Sequence, residues 1–348
     1  MDLADISGPS SLRRKALNQS GVGVAITGSG SAVPDCALSN EQLSRMVDTS
    51  DEWINTRTGI LQRRLGAATQ SLTSLAAKAA TQAIVAANLE PTNIDLILLA
   101  TSTPDDLFGT ACRVQAEIGA TRAVAFDLTA ACSGFVFGLV TAAQYIRTGV
   151  YQNVLLIGAD VLSRWVDWSD RRTCILFGDG AGAVVMQAND CDRLLGFELR
   201  SDGSQNHYLN LSYQAEPKVI VDDLEVGQGA FQPITMNGQE VYRFAVRRVP
   251  EVIEKALFRA NLEVANVDWL ILHQANQRIL DAVADRLSIP AERTISNLAS
   301  YGNTSAASIP LALDEAIRGG KIQPQDVIAT AGFGAGLTWG AAIFQWGR

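Results

Sequence analysis

Ala87-Asn88-Leu89-Glu90, with Asn93-Ile94-Asp95-Leu96-Ile97-Leu98-Leu99 close behind it, is a phrase that this chain uses twice. It returns as Ala260-Asn261-Leu262-Glu263, followed by Asn266-Val267-Asp268-Trp269-Leu270-Ile271-Leu272. The first copy closes an Ala-rich helical pattern over 71–88, and in both copies the apolar run reads as a buried strand. The correspondence extends C-terminally. Cys132 opens a helix closed by Gly149, before a strand over Val154–Ile157. Asn303 opens a helix closed by Gly319 and Gly320, before a strand over Val327–Ala331. A period this long is not that of a solenoid. The chain therefore reads as an internal duplication of a strand–helix half. Such alternation predicts parallel sheets covered by helices on both faces, with the two halves packed about a pseudo-twofold axis.

The stretch Phe126-Asp127-Leu128-Thr129-Ala130-Ala131-Cys132-Ser133-Gly134-Phe135 carries the first chemical signal. The strand pattern runs to Ala131, so Cys132 falls where a strand hands over to a helix. The first-turn N–H groups and the positive end of the helix dipole would favour a thiolate there. A buried structural cysteine fits the same stretch.

In open α/β layers, ligands meet the carboxyl ends of strands. In the second half those ends carry His273, after Leu270-Ile271-Leu272, and Asn303, before Thr304-Ser305. Three polar groups distant in sequence are thus expected at equivalent points of a duplicated scaffold. Cys with His is a nucleophile with a partner, and Asn adds a neutral donor. We expect His273 and Asn303 both to face one oxygen of a bound carbonyl. Gly332-Phe333-Gly334-Ala335-Gly336-Leu337-Thr338-Trp339-Gly340 can supply backbone donors for an oxyanion, and the same run fits a tight turn before a strand over 341–346.

Composition sets the class. Of 348 residues, 47% are apolar and 18% charged, the balance of a well-buried globule, and the net charge of −8 speaks against a nucleic-acid binder. The five cysteines include no C-x-x-C pair, which reads as a reducing, cytoplasmic setting. Only two histidines occur, which speaks against a Cys/His zinc site. No apolar run is long enough to span a membrane. Residues 1–20 contain Arg13, Arg14 and Lys15 without an apolar stretch and read as a loose extension, not a signal peptide. The halves are then 21–192 and 193–348. Residues 40–47 read as a helix capped by Ser39, and Gly28-Ser29-Gly30-Ser31 as a tight turn rather than a dinucleotide loop. The run Phe177–Ala183 reads as close backbone packing, Cys112 and Cys174 as core, and His207 as solvated.

With these residues in place, the chain resembles the beta-ketoacyl-acyl carrier protein synthase III family of thiolase-like condensing enzymes, from about Val22 to the C-terminus. The specific pieces are Asp48–Trp53, Arg57-Thr58-Gly59-Ile60, Ala130–Phe135, Phe177–Ala183, His273-Gln274-Ala275-Asn276, Gly302–Ser308 and Gly334–Gly340. The resemblance implies a thiolase-like αβαβα fold and a Cys-His-Asn triad at Cys132, His273 and Asn303. It also implies backbone oxyanion donors at Cys132 and Ala335. The implied reaction starts type II fatty acid synthesis: a short acyl-CoA such as acetyl-CoA acylates Cys132, and malonyl-acyl carrier protein then condenses with decarboxylation. No cofactor or metal is implied, because the CoA thioesters are substrates.

By the same resemblance, Trp53 and Arg171 lie near the CoA adenine, and Arg57, Gly238 and Asn276 along the phosphate and pantetheine arm. The family is homodimeric. Phe108 matches a residue that closes the partner's acyl pocket, and an ordinary core position fits it equally. Arg243, Arg247, Arg278 and Arg286 form a candidate docking patch for the acidic carrier, or a solvated face. Two readings of other kinds stay open: a polyketide starter-unit synthase with the same triad, and a non-condensing acyl-CoA hydrolase or acyl-binding scaffold. A chain-elongating synthase would need a second active-site histidine, and only His207 is spare.

Overall fold

The computed structural model describes residues 22–348, so the expected N-terminal extension lies outside the described residues. The first sheet takes β1 (Gly23–Ala32), β2 (Leu96–Ala100), β3 (Val124–Leu128), β4 (Asn153–Val161) and β5 (Asp179–Asn189), in the order β1-β5-β4-β2-β3. The second takes β6 (Leu194–Ser201), β7 (Trp269–Leu272), β8 (Thr294–Ile295), β9 (Val327–Gly334) and β10 (Thr338–Gln345), in the order β6-β10-β9-β7-β8. Strand for strand the two orders are the same.

Both sheets are mixed, which corrects the expectation of parallel sheets. β2 runs parallel to β3 and β4, and β7 parallel to β8 and β9. β5 is antiparallel to β1 and β4, and β10 to β9 and β6. A strand covered on both faces shows an unbroken apolar run in either direction, so the sequence pattern does not distinguish the two.

Among the described residues the helices of eight or more residues are α1 (Asp51–Thr58), α2 (Leu72–Ala86), α3 (Ala111–Ile118), α4 (Gly134–Arg147), α5 (Gly238–Arg259), α6 (Gln277–Leu287) and α7 (Ser308–Arg318), and α2 to α7 fill the remaining layers. Helices α4 and α7 lie between the sheets, where Phe135, Leu139, Ile309 and Leu313 pack with Leu98 and Leu156 of one sheet and Ile328 and Phe344 of the other. Helices α2 and α3 cover the outer face of the first sheet, and α5 and α6 that of the second. Alternation along β2 serves both sides: Leu96 and Leu98 face the central layer, Ile97 and Leu99 the outer one. The result is the expected five-layer αβαβα sandwich.

The duplication extends to backbone detail. Asn88 and Asn261 share the left-handed φ of 55°, which Asn tolerates better than most residues. Behind them, Glu90 with Asn93 and Glu263 with Asn266 build the same capping box.

Three local expectations are corrected. Gly28-Ser29-Gly30-Ser31 is no turn but part of β1. A Cβ on Gly28 or Gly30 would stand 2.3 Å from a carbonyl oxygen of α2, so these glycines let the Ala-rich helix lie directly on the strand. The Ser39-capped helix ends at Leu43, well short of Val47. Cys112 is exposed rather than core, although it lies on α3, while Cys174 is buried. His207 is exposed, as expected.

Candidate active site

Strand β3 ends at Leu128, earlier than the apolar pattern suggests, and a 3-10 turn over Ala131–Ser133 carries the chain into α4. Cys132 sits in that turn and is buried. In the other half, the turn over Ser305–Ala307 leads into α7 in the same way. Ala131 and Ser305 are its matched residues, with φ of 47° and 52°. Asn303 thus stands two residues before the matched point, and Cys132 one residue after it.

Cys132, His273 and Asn303 line one cavity of about 100 Å³, together with Asn276, Phe333 and Gly334. Asn303 is held by its backbone, which donates to Leu176 O at 2.8 Å and accepts from Gly178 N at 3.0 Å. The glycine run therefore does more than pack: it positions Asn303. The Ser305 amide donates to Asn303 Oδ1 at 2.9 Å, which leaves the Asn303 NH₂ group available to the cavity. His273 donates its backbone N–H to Ala331 O at 2.9 Å, its Nδ1 lies 2.8 Å from Ser308 Oγ, and its ring meets Phe333 edge-on at 5.2 Å.

Electrostatics correct one expectation. Burial pushes the Cys132 thiol up to about 12, only partly offset by the Ser305 hydroxyl, and the nearby Asp160 charge pushes the same way. Burial also pushes His273 down to about 3, against the backbone of Ser305. The resting pair is a neutral thiol and a neutral imidazole. Desolvation outweighs the helix dipole that would favour a thiolate.

Backbone donors sit beside the sulfur. A Cβ on Gly334 would stand 2.8 Å from Cys132 N, and one on Gly332 2.9 Å from Ser133 Cα, so only glycine lets β9 lie this close to the nucleophile turn. Among the described residues the amides of Cys132 and Ala335 donate to no backbone carbonyl outside the helices and strands.

Of the expected CoA residues, Trp53, Arg57 and Arg171 cluster: the two guanidinium carbons lie 5.9 and 5.3 Å from the indole centroid. Gly238 and Asn276 line the cavity that reaches the sulfur, and Asn276 Nδ2 donates to Arg57 O at 3.0 Å. A second cavity, of about 650 Å³, also reaches Cys132, past Ala130, Leu209, Phe231 and Ala335. Phe108 does not line it and is fully exposed, so in this chain it is not a core residue. Arg243 and Arg247 are paired with Glu240 and Glu251 of their own helix. The Arg278 guanidinium lies 5.4 Å from the ring of Tyr242, which lines the first cavity, and Arg286 is in the last turn of α6. Among the described residues there is no cluster of three or more metal-ligating side chains.

Ser305, Ser308 and Asp160 escaped the sequence reading. The two serines lie inside the Gly302–Ser308 stretch, and Asp160 is a carboxylate inside an apolar strand, a signal available from sequence.

A buried cysteine and a neutral imidazole and carboxamide, supplied by two halves of a duplicated five-layer sandwich, define a thiolase-like condensing enzyme. Comparison with known proteins agrees. The family described as 3-Oxoacyl-[acyl-carrier-protein (ACP)] synthase III matches residues 126–203, and its C-terminal counterpart residues 257–346. A beta-ketoacyl-[acyl-carrier-protein] synthase III of Nostoc sp. is 74% identical over 327 residues, covering 94% of this chain and 99% of that protein. One from Synechococcus elongatus is 68% identical over 332 residues, covering 95% and 99%. The crystal structure of 3-oxoacyl-[acyl-carrier-protein] synthase III from Aquifex aeolicus superposes with a TM-score of 0.86 at 44% identity, covering 93% of this chain and all of that one. The chain belongs to the beta-ketoacyl-[acyl-carrier-protein] synthase III family.

Proposed function

We propose that this acyltransferase initiates fatty acid synthesis by joining a short acyl-CoA, such as acetyl-CoA, to malonyl-acyl carrier protein. The products are a 3-oxoacyl-acyl carrier protein, CoA and CO₂. The observation that carries this reading is the one cavity that Cys132, His273 and Asn303 line together. The high-identity relatives bear the synthase III name, which favours this function over a polyketide starter synthase, a hydrolase or a scaffold.

In the first half-reaction Cys132 Sγ attacks the acyl-CoA carbonyl, and the amides of Cys132 and Ala335 receive the oxyanion. In the second, the malonyl thioester oxygen sits between His273 and Asn303. The Gln274 amide donates to Ser308 Oγ at 3.2 Å, so the Ser308 hydroxyl proton is free for His273 Nδ1. The imidazole then keeps its own proton on Nε2, facing the cavity. Neutral Nε2–H and the Asn303 amide stabilise the enolate formed as CO₂ leaves, and its carbon attacks the acyl group on Cys132. A neutral donor suits this step, since it stabilises the enolate without protonating it.

Trp53, Arg57 and Arg171 would hold the adenine end of CoA, with Gly238 and Asn276 along the pantetheine arm. Docking of the acidic carrier would rest mainly on Arg278 and Arg286, since Arg243 pairs with Glu240 and Arg247 shares Glu251 with Arg248. We read the enzyme as a homodimer. Phe108 is fully exposed, and the neighbouring edge strand β3 exposes Val124 and Phe126, apolar surface that a second copy would cover. Phe108 would then close the partner's acyl cavity. No helix of the described residues is long and apolar enough to cross a membrane, which is compatible with a cytoplasmic enzyme. The test is reconstitution: acetyl-CoA plus malonyl-carrier should give acetoacetyl-carrier and CO₂ in equal amounts, and release of free acetate instead would contradict the reading.

A further inference from the structure

We propose that the hydroxyl pair Ser133–Thr338 sets the spacing between the two backbone donors that receive the oxyanion, an inference that rests on the function proposed above. The donors belong to different halves of the chain. Cys132 N lies in the 3-10 turn over Ala131–Ser133. Ala335 N lies in the turn between β9 and β10, whose ends pair as Gly334 with Thr338. An oxyanion hole works only if both amides reach one oxygen at about 2.7–3.1 Å, so one turn has to be fixed against the other.

The second turn does not achieve this by its backbone alone. Ala335 stands between Gly334 and Gly336, and Gly336 has a φ of 127°, a region open to glycine. Backbone bonds between Leu337 and Asp202, at 2.8 and 3.1 Å, hold the turn on the side of β6. Toward Cys132, among the described residues, the hydrogen-bond contacts that join the turns both come from Thr338 Oγ1. It lies 2.6 Å from Ser133 Oγ and 3.1 Å from Ala130 O, and also 3.1 Å from Ala335 O of its own turn. Ser133 is fully buried, with its Oγ 2.6 Å from Ala130 O.

The protons leave two arrangements. Each hydroxyl carries one proton, and the carbonyls only accept. At 2.6 Å the two hydroxyl oxygens need a proton between them. If Ser133 donates, the Thr338 proton goes to Ala335 O or Ala130 O. If Thr338 donates, the Ser133 proton goes to Ala130 O. In both, a side-chain bond crosses from the nucleophile turn to the Ala335 turn. The side-chain hydroxyl that bonds the Cys132 sulfur is that of Ser305, so Ser133 and Thr338 are positioning residues. Thr338 also lines the second cavity, beside Ala130 and Ala335, and a role limited to shaping that cavity would show in substrate binding instead.

Thr338→Val keeps the shape of the side chain and removes the hydroxyl, Thr338→Ser keeps the hydroxyl, and Ser133→Ala removes the partner. Rapid-quench acylation of Cys132 by acetyl-CoA, read by intact mass, should show the maximal rate falling about 10- to 100-fold in Thr338→Val and in Ser133→Ala. The acetyl-CoA concentration for half-saturation should not move, and Thr338→Ser should acylate near the wild-type rate. The double variant Ser133→Ala with Thr338→Val should fall no further than the lower single one, because the bond between the turns breaks once. Release of CO₂ from malonyl-carrier without an acyl primer, which uses His273 and Asn303, should be unchanged throughout and shows that each variant is folded. Wild-type acylation by Thr338→Val, equal loss of acylation and CO₂ release, or a Thr338→Ser as slow as Thr338→Val would overturn the positioning role. A wild-type enzyme that takes up no acetyl group would overturn the function itself, and this inference with it.

Discussion

Ala131 and Ser305 adopt the same left-handed backbone, φ 47° and 52°, at matched turns of the two halves. Each turn leads its helix into the central layer between the sheets. One turn carries Cys132, the proposed nucleophile, and the other lies against Asn303. The duplication is therefore the device that brings the three groups together.

His273 and Asn303 should divide the reaction. Replacing either by alanine should leave the Cys132 acetylation rate near that of the wild type. Condensation with malonyl-carrier should slow about 100- to 1000-fold, the usual effect of removing one preorganised donor, about 2.7–4 kcal/mol. Separate assays of the two half-reactions check this, and equal loss in both would contradict it.

Acid stability should carry the signature of His273. Its folded pKa, about 3, lies below the usual imidazole value of 6.5, because burial disfavours the charged form. Between these values the unfolded chain binds a proton that the folded chain refuses. The contribution to stability is complete above about pH 6.5 and is lost as pH falls toward about 3, by at most about 1.4 kcal/mol per pH unit. Urea midpoints should fall less steeply between pH 7 and pH 5 in His273→Gln than in the wild type. Parallel slopes would refute the assignment.

Gly334→Ala should damage the site from the backbone side. The new methyl would stand 2.8 Å from Cys132 N and 2.9 Å from its Cβ. We expect a loss of about 1–3 kcal/mol of stability from overpacking and a larger loss of acylation, as the strand and the nucleophile turn move apart. Thermal melting alongside acylation kinetics tests both.

Arg278→Glu should raise the KM for malonyl-carrier and leave acylation by acetyl-CoA unchanged. Arg243→Glu should do less, because Arg243 already pairs with Glu240 at 2.6 Å. Equal loss in both half-reactions would remove Arg278 from the docking surface.

Much of this was legible because the two halves repeat. Asn88 and Asn261, with Glu90 and Glu263 behind them, advertise the duplication through residues that local backbone geometry favours. Cys132, His273 and Asn303 stand at element ends, where pattern reading works. Strand direction was not legible, since β5 and β10 bury both faces and look like parallel strands. Gly28 and Gly30 were misread because their partner, the backbone of α2, is distant in sequence. The hydrogen bond from Ser305 Oγ to Cys132 Sγ joins the two halves, and no local pattern holds it. The charge state of Cys132 turns on burial, which a single stretch does not disclose.

The most direct test of the account is to locate the acyl group. Incubation of the wild-type enzyme with acetyl-CoA, followed by proteolysis and tandem mass spectrometry, should place one acetyl group on Cys132 and none on Cys36, Cys112, Cys174 or Cys191. Addition of malonyl-carrier should remove it as acetoacetyl-carrier. An acetyl group on another cysteine, or one that malonyl-carrier leaves in place, would contradict the account.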